Sequence, residues 1–343
     1  MRRPPGHELN SAGWSQDSPV TLPLLSRSAS ADAAHDVIAP GGYEWWHFVA
    51  CDTSNDRQIV TTFYCGCVLE RMYLRAYERY LRRPTRRRPP LPDDFAAVHF
   101  SLYEKQVLRA RFTTHCGSGQ ACFSSQRPRV EIGGSRFHLD DAGKFELALR
   151  GTPFVQTRWG GNQRHPQTIC AELLFSPRGS AGRAARALVA AQGEHHWVLH
   201  CNAYEVRGSI EFIGGDLNRI HLHFAGTGLH DHQYGTSPLT RGVGLWVRGH
   251  VLADDHVCAF QSLAAQGNAN NAQCLGVGVD DVEPKQHVVQ HRGLEYPREL
   301  LVGDELQLRS PRLIESSAHS MRFLYDANWR QRRGVSICDI VRT

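Results

Sequence analysis

Short runs of β-branched and aromatic residues, broken again and again by Gly, Pro and Asp turns, leave this chain few folds to adopt. Tyr43-Glu44-Trp45-Trp46-His47-Phe48-Val49-Ala50 opens the series, and residues 58–64 follow after a polar turn, so the two read as a hairpin. Further runs lie at 97–103, 136–139, 144–149, 171–175, 196–200, 204–208, 220–224, 245–252 and 257–263. Two more sit near 287–289 and 305–308. Strands this frequent predict an all-β protein built as barrels or sandwiches.

Two stretches depart from the β pattern. Arg71, Arg75 and Arg79 recur at helical spacing with Tyr73, Tyr77 and Tyr80 on another face, and prolines from Pro84 onward end the helix. Residues 181–191 are rich in Ala and Arg and flanked by Gly179 and Gly193; they predict a second helix and a half-way boundary. Residues 1–38 show no periodicity and predict a disordered tail. The expected organisation is therefore a tail (1–38), one β-rich domain (39–190) and another (191–343), with a few short helices.

The net charge of +5 is concentrated in Arg71, Arg75, Arg79, Arg82, Arg83, Arg86, Arg87 and Arg88. That is too local and too mild for a nucleic-acid binder. A solvated basic helix is the simple reading; a surface for anionic lipid headgroups is the sharper one. No run approaches the length of a membrane span, and Met1-Arg2-Arg3-Pro4-Pro5 leads into no apolar export segment, so a soluble, cytoplasmic protein is expected, with peripheral membrane contact through Arg71–Arg88. The ten cysteines include no CxxC. Cys65-Gly66-Cys67 shares a strand face and is open to a metal or redox role, but reduced, buried thiols are the plainer reading.

The densest polar cluster is Gly226-Thr227-Gly228-Leu229-His230-Asp231-His232-Gln233-Tyr234-Gly235. With His221 and His223 upstream, a site of four imidazole nitrogens is conceivable, although His-x-His pairs are common as half-buried strand residues, and no metal is expected. The alternative is proton chemistry at Asp231. Strand alternation puts its carboxyl opposite the two imidazoles unless the glycines allow a bulge. A carboxyl kept neutral in a dry cavity is the acid that an unactivated alkene requires; an Asp that tightens a turn is the structural alternative. The cation formed would need facing rings, for which Trp46, Tyr204, Tyr234 and Trp246 are candidates, each equally suited to core packing. Glu44, between aromatics, is expected as the buried partner of an Arg or His.

Taken together, the 43–48 segment and the 226–235 motif, followed by Pro238-Leu239 and Trp246, resemble the carotenoid 1,2-hydratases (hydroxyneurosporene synthases) over about residues 38–265. The resemblance implies two lipocalin-like β-rich halves around an apolar cavity, and cofactor-free addition of water to the terminal double bond of an acyclic carotene. It makes Asp231 the acid, flanked by His230 and His232, with Tyr204 completing the catalytic group. Trp46, Asn202, Leu229, Tyr234 and Trp246 are implied to contact substrate. The chain departs from the family at Leu229, where a Tyr is usual, and at Asn202 and Tyr204, where a His and a Trp are usual. A pocket that folds a polyene for cyclisation and a non-catalytic carrier of an apolar ligand are the alternatives within the same architecture.

Overall fold

The computed structural model describes residues 29–52, 54–156, 162–164, 167–178, 186–190, 195–199, 203–214, 219–236, 238, 243–253, 256–265, 272–278, 285–292, 296–302, 306–316 and 320–342. Among them the chain forms a sheet of thirteen strands followed by a closed barrel of eight, Val243–Ala253 to Arg332–Arg342. The all-β, two-part expectation holds.

The aromatic octet lies in β1, Tyr43–Asp52, near the middle of the sheet. On one side it pairs with β2, Arg57–Cys65, as the predicted hairpin; on the other it pairs with the long strand Arg219–Gly235. All ten β1 residues are buried, so both of its faces are covered. This is why its large apolar residues fall on both faces instead of alternating with exposed polar ones. One face (Trp46, Phe48) joins the interior of the sheet with Phe63, Phe137 and Phe145. The other (Val49, Cys51) meets Leu229, Leu252, Leu324 and Ile337 where the sheet and barrel abut. Full burial of each such side chain contributes about 1.5–3 kcal/mol.

The glycines of the 226–235 motif serve this contact. A Cβ on Gly226 would meet the Cys51 carbonyl oxygen at 2.0 Å, and one on Gly228 would meet the Val49 carbonyl oxygen at 2.7 Å. No bulge interrupts the pairing, which runs evenly from Tyr43 opposite Gly235 to Cys51 opposite Thr227.

Three expectations are corrected. The division between the halves falls between Gly235 and Val243 and not at 190/191, because Tyr204–Ile213 and Arg219–Gly235 hydrogen-bond back into the first sheet. Residues 186–190 of the expected second helix form a strand paired with His195–Leu199; residues 181–185 and 191 are outside the described residues. The polar N-terminal segment is packed from residue 29: Asp32, Ala33 and Ala34 are buried. The first expected helix is present as α1, Arg71–Arg82, anchored by Tyr73, whose hydroxyl donates to the Gly42 carbonyl at 2.6 Å. No described helix is long and apolar enough to cross a membrane.

Candidate functional site

The site follows from strand alternation. Arg219–Gly235 sends Leu229 and Asp231 toward the barrel and His230 and His232 into the interior of the first sheet. With no bulge in the pairing, the Asp231 carboxyl lies on the face opposite the His230 and His232 rings, as alternation predicts, so neither flanking imidazole reaches it. Leu229 and Trp246 lie at the seam with Asp231. Trp46 and Tyr204 lie in the interior with the histidines, and Tyr234 stacks between His35 and His196. Asn202 is outside the described residues.

At the seam, Asp231 is fully buried. Its Oδ2 accepts from His250 Nε2 at 2.9 Å and its Oδ1 from Arg248 Nη1 at 3.4 Å. Arg248 also donates to Asp339 at 2.9 Å, and Asp339 accepts from Arg322 at 2.6 Å. Burial alone would raise the Asp231 carboxyl, but Arg248 and His250 outweigh it and hold it below the usual carboxylate range. This corrects the expectation of a carboxylic acid kept neutral by burial: the barrel supplies Arg248 and His250, which the sequence motif does not contain.

His47 stands opposite Asp231 in register. Burial, then the charges of Arg248 and His250, push its pKa well below the usual imidazole value, so it is neutral. Its Nδ1 faces the Thr62 hydroxyl at 2.7 Å and Arg248 Nη2 at 3.2 Å, both donors. The ring proton is thereby assigned to Nε2, which is buried without a hydrogen-bond partner among the described residues. The indole N–H groups of Trp45 and Trp246, Nε of Arg248 and Nε2 of Gln233 are buried and unpartnered in the same sense. The Arg248 guanidinium lies 5.8 Å from the Trp45 ring and 5.3 Å from the Trp246 ring, so the two indoles already flank a cation.

On the interior face a second cluster forms. His232 Nε2 is 2.8 Å from Glu44 Oε1, and its Nδ1 lies 3.2 Å from Asp32 Oδ1, an ion pair without hydrogen-bond alignment. Asp32 Oδ2 is 2.9 Å from His230 Nε2, whose Nδ1 meets the His47 carbonyl at 3.0 Å. His35 completes the group, its Nδ1 2.8 Å from Glu44 Oε1. Burial would lower the His232 imidazole, but Asp32 and Glu44 raise it to about 9. Burial would raise Asp32, but His230 and His232 hold it far below the usual carboxylate range. Glu44 has the buried partner expected of it; the His221–His223 pair does not join the cluster and instead faces Glu211.

Sequence reasoning missed His47, Arg248, His250 and Asp339 at the seam, and Asp32 and His35 in the interior. Arg248 and His250 are two apart in an apolar run and could have been found by asking which strand carries charge on a single face. Asp32 and His35 lie in a segment with no periodic signal at all.

No family model matches the chain. A hydroxyneurosporene dehydrogenase of Chlorobaculum tepidum is 26% identical over 236 residues, which make up 67% of this chain and 58% of that protein. The match thus spans less than two thirds of the relative's length. Among solved structures, an AttH protein of Nitrosomonas europaea superposes with a TM-score of 0.59 at 11% identity, covering 94% of this chain and 99% of the other. Kievitone hydratase of Nectria haematococca superposes with a TM-score of 0.54 at 11% identity, covering 94% of each chain. The superpositions bear out the all-β fold, and the sequence match is a partial likeness to a hydroxyneurosporene dehydrogenase.

Proposed function

We propose that the chain is a hydro-lyase that adds water to a terminal C=C bond of an acyclic carotenoid or related isoprenoid, with Asp231 and His250 as its acid–base pair. The observation that carries the reading is their 2.9 Å contact, fully buried at the seam, at the position the family motif gives to its acid. The Chlorobaculum relative is named for hydroxyneurosporene, which supports the carotenoid class; its name specifies a dehydrogenase, so the reaction rests on the site and not on that name.

In its working form the pair carries one transferable proton between carboxylate and imidazole. That proton goes to the terminal alkene carbon, whose π electrons form the new C–H bond and leave a tertiary cation. The faces of Trp45 and Trp246 are placed to shelter it, a contact worth about 2 kcal/mol when desolvated. Arg248 is neutralised by Asp231 and Asp339, so the cation meets a carboxylate and not a bare guanidinium. Water, held by Nε2–H of His47, attacks the cation and returns a proton to the pair, which closes the cycle without a cofactor.

Purified, chelator-treated protein is incubated with lycopene or neurosporene in detergent, and products are followed by chromatography and mass. A hydrated product that disappears in both Asp231→Asn and His250→Gln supports the reading. Full activity of folded Asp231→Asn sinks it, and tight binding of the carotene without product makes the chain a carrier.

The same reading gives α1 a task. Arg71, Arg75, Arg79 and Arg82 are exposed beside exposed Met72 and Leu81, which suits a helix that rests on anionic headgroups and collects an apolar substrate there.

A further inference from the structure

We propose that His35, Glu44 and His232 bind a divalent transition-metal ion of the zinc class, with the Asp32 carboxylate orienting His232. The inference stands apart from the hydration reading, because this cluster lies on the interior face of the strand that carries Asp231.

The donor set is two imidazoles and one carboxylate, the three ligands that zinc and similar ions take from protein when a fourth position is left to water. One nitrogen or oxygen from each residue lies within 4.8 Å of the others. Glu44 Oε1 is 2.8 Å from both His35 Nδ1 and His232 Nε2. Ligands around a tetrahedral ion at about 2.0–2.1 Å stand roughly 3.4 Å apart, so the two 2.8 Å contacts to Glu44 open by about half an ångström when an ion is seated between them.

The surroundings are those of a built site. Asp32 Oδ1 is fully buried, 3.2 Å from His232 Nδ1 and without a hydrogen-bond partner among the described residues. An Nδ1–H turned to that oxygen leaves Nε2 free as a ligand, the carboxylate–histidine–metal arrangement. The His232 ring stacks on Trp46 at 4.7 Å and 16°, and the His35 ring on Tyr234 at 3.8 Å and 15°. The backbone N–H of His35 donates to Glu44, fixing the carboxylate. His35 is exposed, which gives the ion an entrance and a place for water. Two buried carboxylates, Asp32 and Glu44, share His232 between them, and a dication beside them would be drawn by their negative charge. The ion would also tie the segment that carries Asp32 and His35 to the sheet.

A second trio, Cys67, Glu70 and His99, has a longer approach of 3.9 Å between thiol and imidazole, and among the described residues no fully buried carboxylate hydrogen-bonds its histidine. It serves as the control. Untagged full-length protein is stripped of metal and titrated with zinc and with cobalt, and bound ion is measured by elemental analysis and by the visible cobalt bands. The expected result is one ion per chain, with a melting temperature that rises with zinc. His35→Ala, a substitution at an exposed residue, weakens binding at least tenfold and abolishes that rise. Asp32→Asn weakens binding about 10- to 100-fold, and Cys67→Ala leaves it unchanged. No bound ion, or an affinity that survives His35→Ala or is lost in Cys67→Ala, overturns the proposal.

Discussion

Asp231 and His232 are adjacent in sequence yet belong to different networks: the carboxylate of Asp231 meets His250 at 2.9 Å at the seam, while His232 meets Glu44 at 2.8 Å inside the first sheet. The strand keeps strict alternation through the whole motif, so the densest polar run in the sequence serves two sites and not one. The proton chemistry of the hydration reading therefore depends on barrel residues contributed from beyond the motif.

The first prediction concerns that dependence. Asp231→Asn keeps the shape of the side chain but removes the charge that pairs with both Arg248 and His250. His250→Gln removes the other half of the pair and leaves Arg248 in place. Loss of one acid–base partner costs about a hundred- to ten-thousand-fold in rate, and turnover of an acyclic carotene should fall by that factor in each variant. Because the two act as a unit, the double variant should be scarcely worse than either single one; multiplied losses would show that they act separately.

Much of the fold was legible, and the reason is local. β1 and β2 announce themselves by β-branched and aromatic residues around a polar turn, and α1 by arginines at helical spacing. The 186–190 segment misled because Ala and Arg favour helix, whereas pairing with His195–Leu199 decides the outcome. The half-boundary was misplaced for a related reason: pairing between residues separated by almost two hundred positions, Tyr43 with Gly235, leaves no local mark. The site was half legible. Asp231 stands out in its glycine-framed motif, but what sets its charge is Arg248 and His250, on a strand whose sequence is otherwise apolar. Asp32 and His35 were hidden because a short polar segment looks the same whether it is free or packed.

A second prediction tests the close approach of the central strands. The missing Cβ of Gly226 lets the Cys51 carbonyl come within 2.0 Å of where it would stand. The nearest atoms are all backbone of Cys51 and Asp52, which leaves no side chain to yield, so Gly226→Ala must part β1 from its neighbour. Overpacking of this kind costs about 1–3 kcal/mol. Urea melts should show a lower midpoint at unchanged slope; wild-type stability would mean the strands are free to shift.

The third prediction concerns α1. Among its arginines and those that follow it, Arg88 pairs with Asp94 at 3.4 Å, while Arg71, Arg75, Arg79 and Arg82 stand exposed beside Met72. Co-sedimentation with vesicles containing anionic phospholipid should retain the protein at low salt and release it as salt rises, with little retention on neutral vesicles. Changing those four arginines to Gln should abolish retention without altering the fold. No retention on anionic vesicles would assign the helix to solvent, and equal binding to neutral ones would take the arginines out of the contact.

The last prediction concerns acid, and the joint between the two halves. Glu315 of the barrel accepts from Tyr103 at 3.0 Å and from Arg322 at 3.1 Å, and Arg111 of the sheet reaches it at 3.4 Å. Asp339, buried, is held by Arg322 and Arg248. Burial raises both carboxyls, but Arg322, seconded by Arg111 at Glu315 and by Arg248 at Asp339, brings each below its ordinary value. In the unfolded chain these groups return to about 3.8 for Asp and 4.5 for Glu. Below those values the unfolded state binds more protons, so the stabilisation is complete above about pH 5 and is lost as pH falls through the folded values. Urea melts at descending pH, followed by tryptophan fluorescence, should therefore lose stability steeply below pH 4. Asp339→Asn should be less stable at neutral pH, because it leaves Arg322 and Arg248 short of a partner, and its acid limb should be shallower. A variant with the wild-type acid slope would show that other carboxylates set the acid limit.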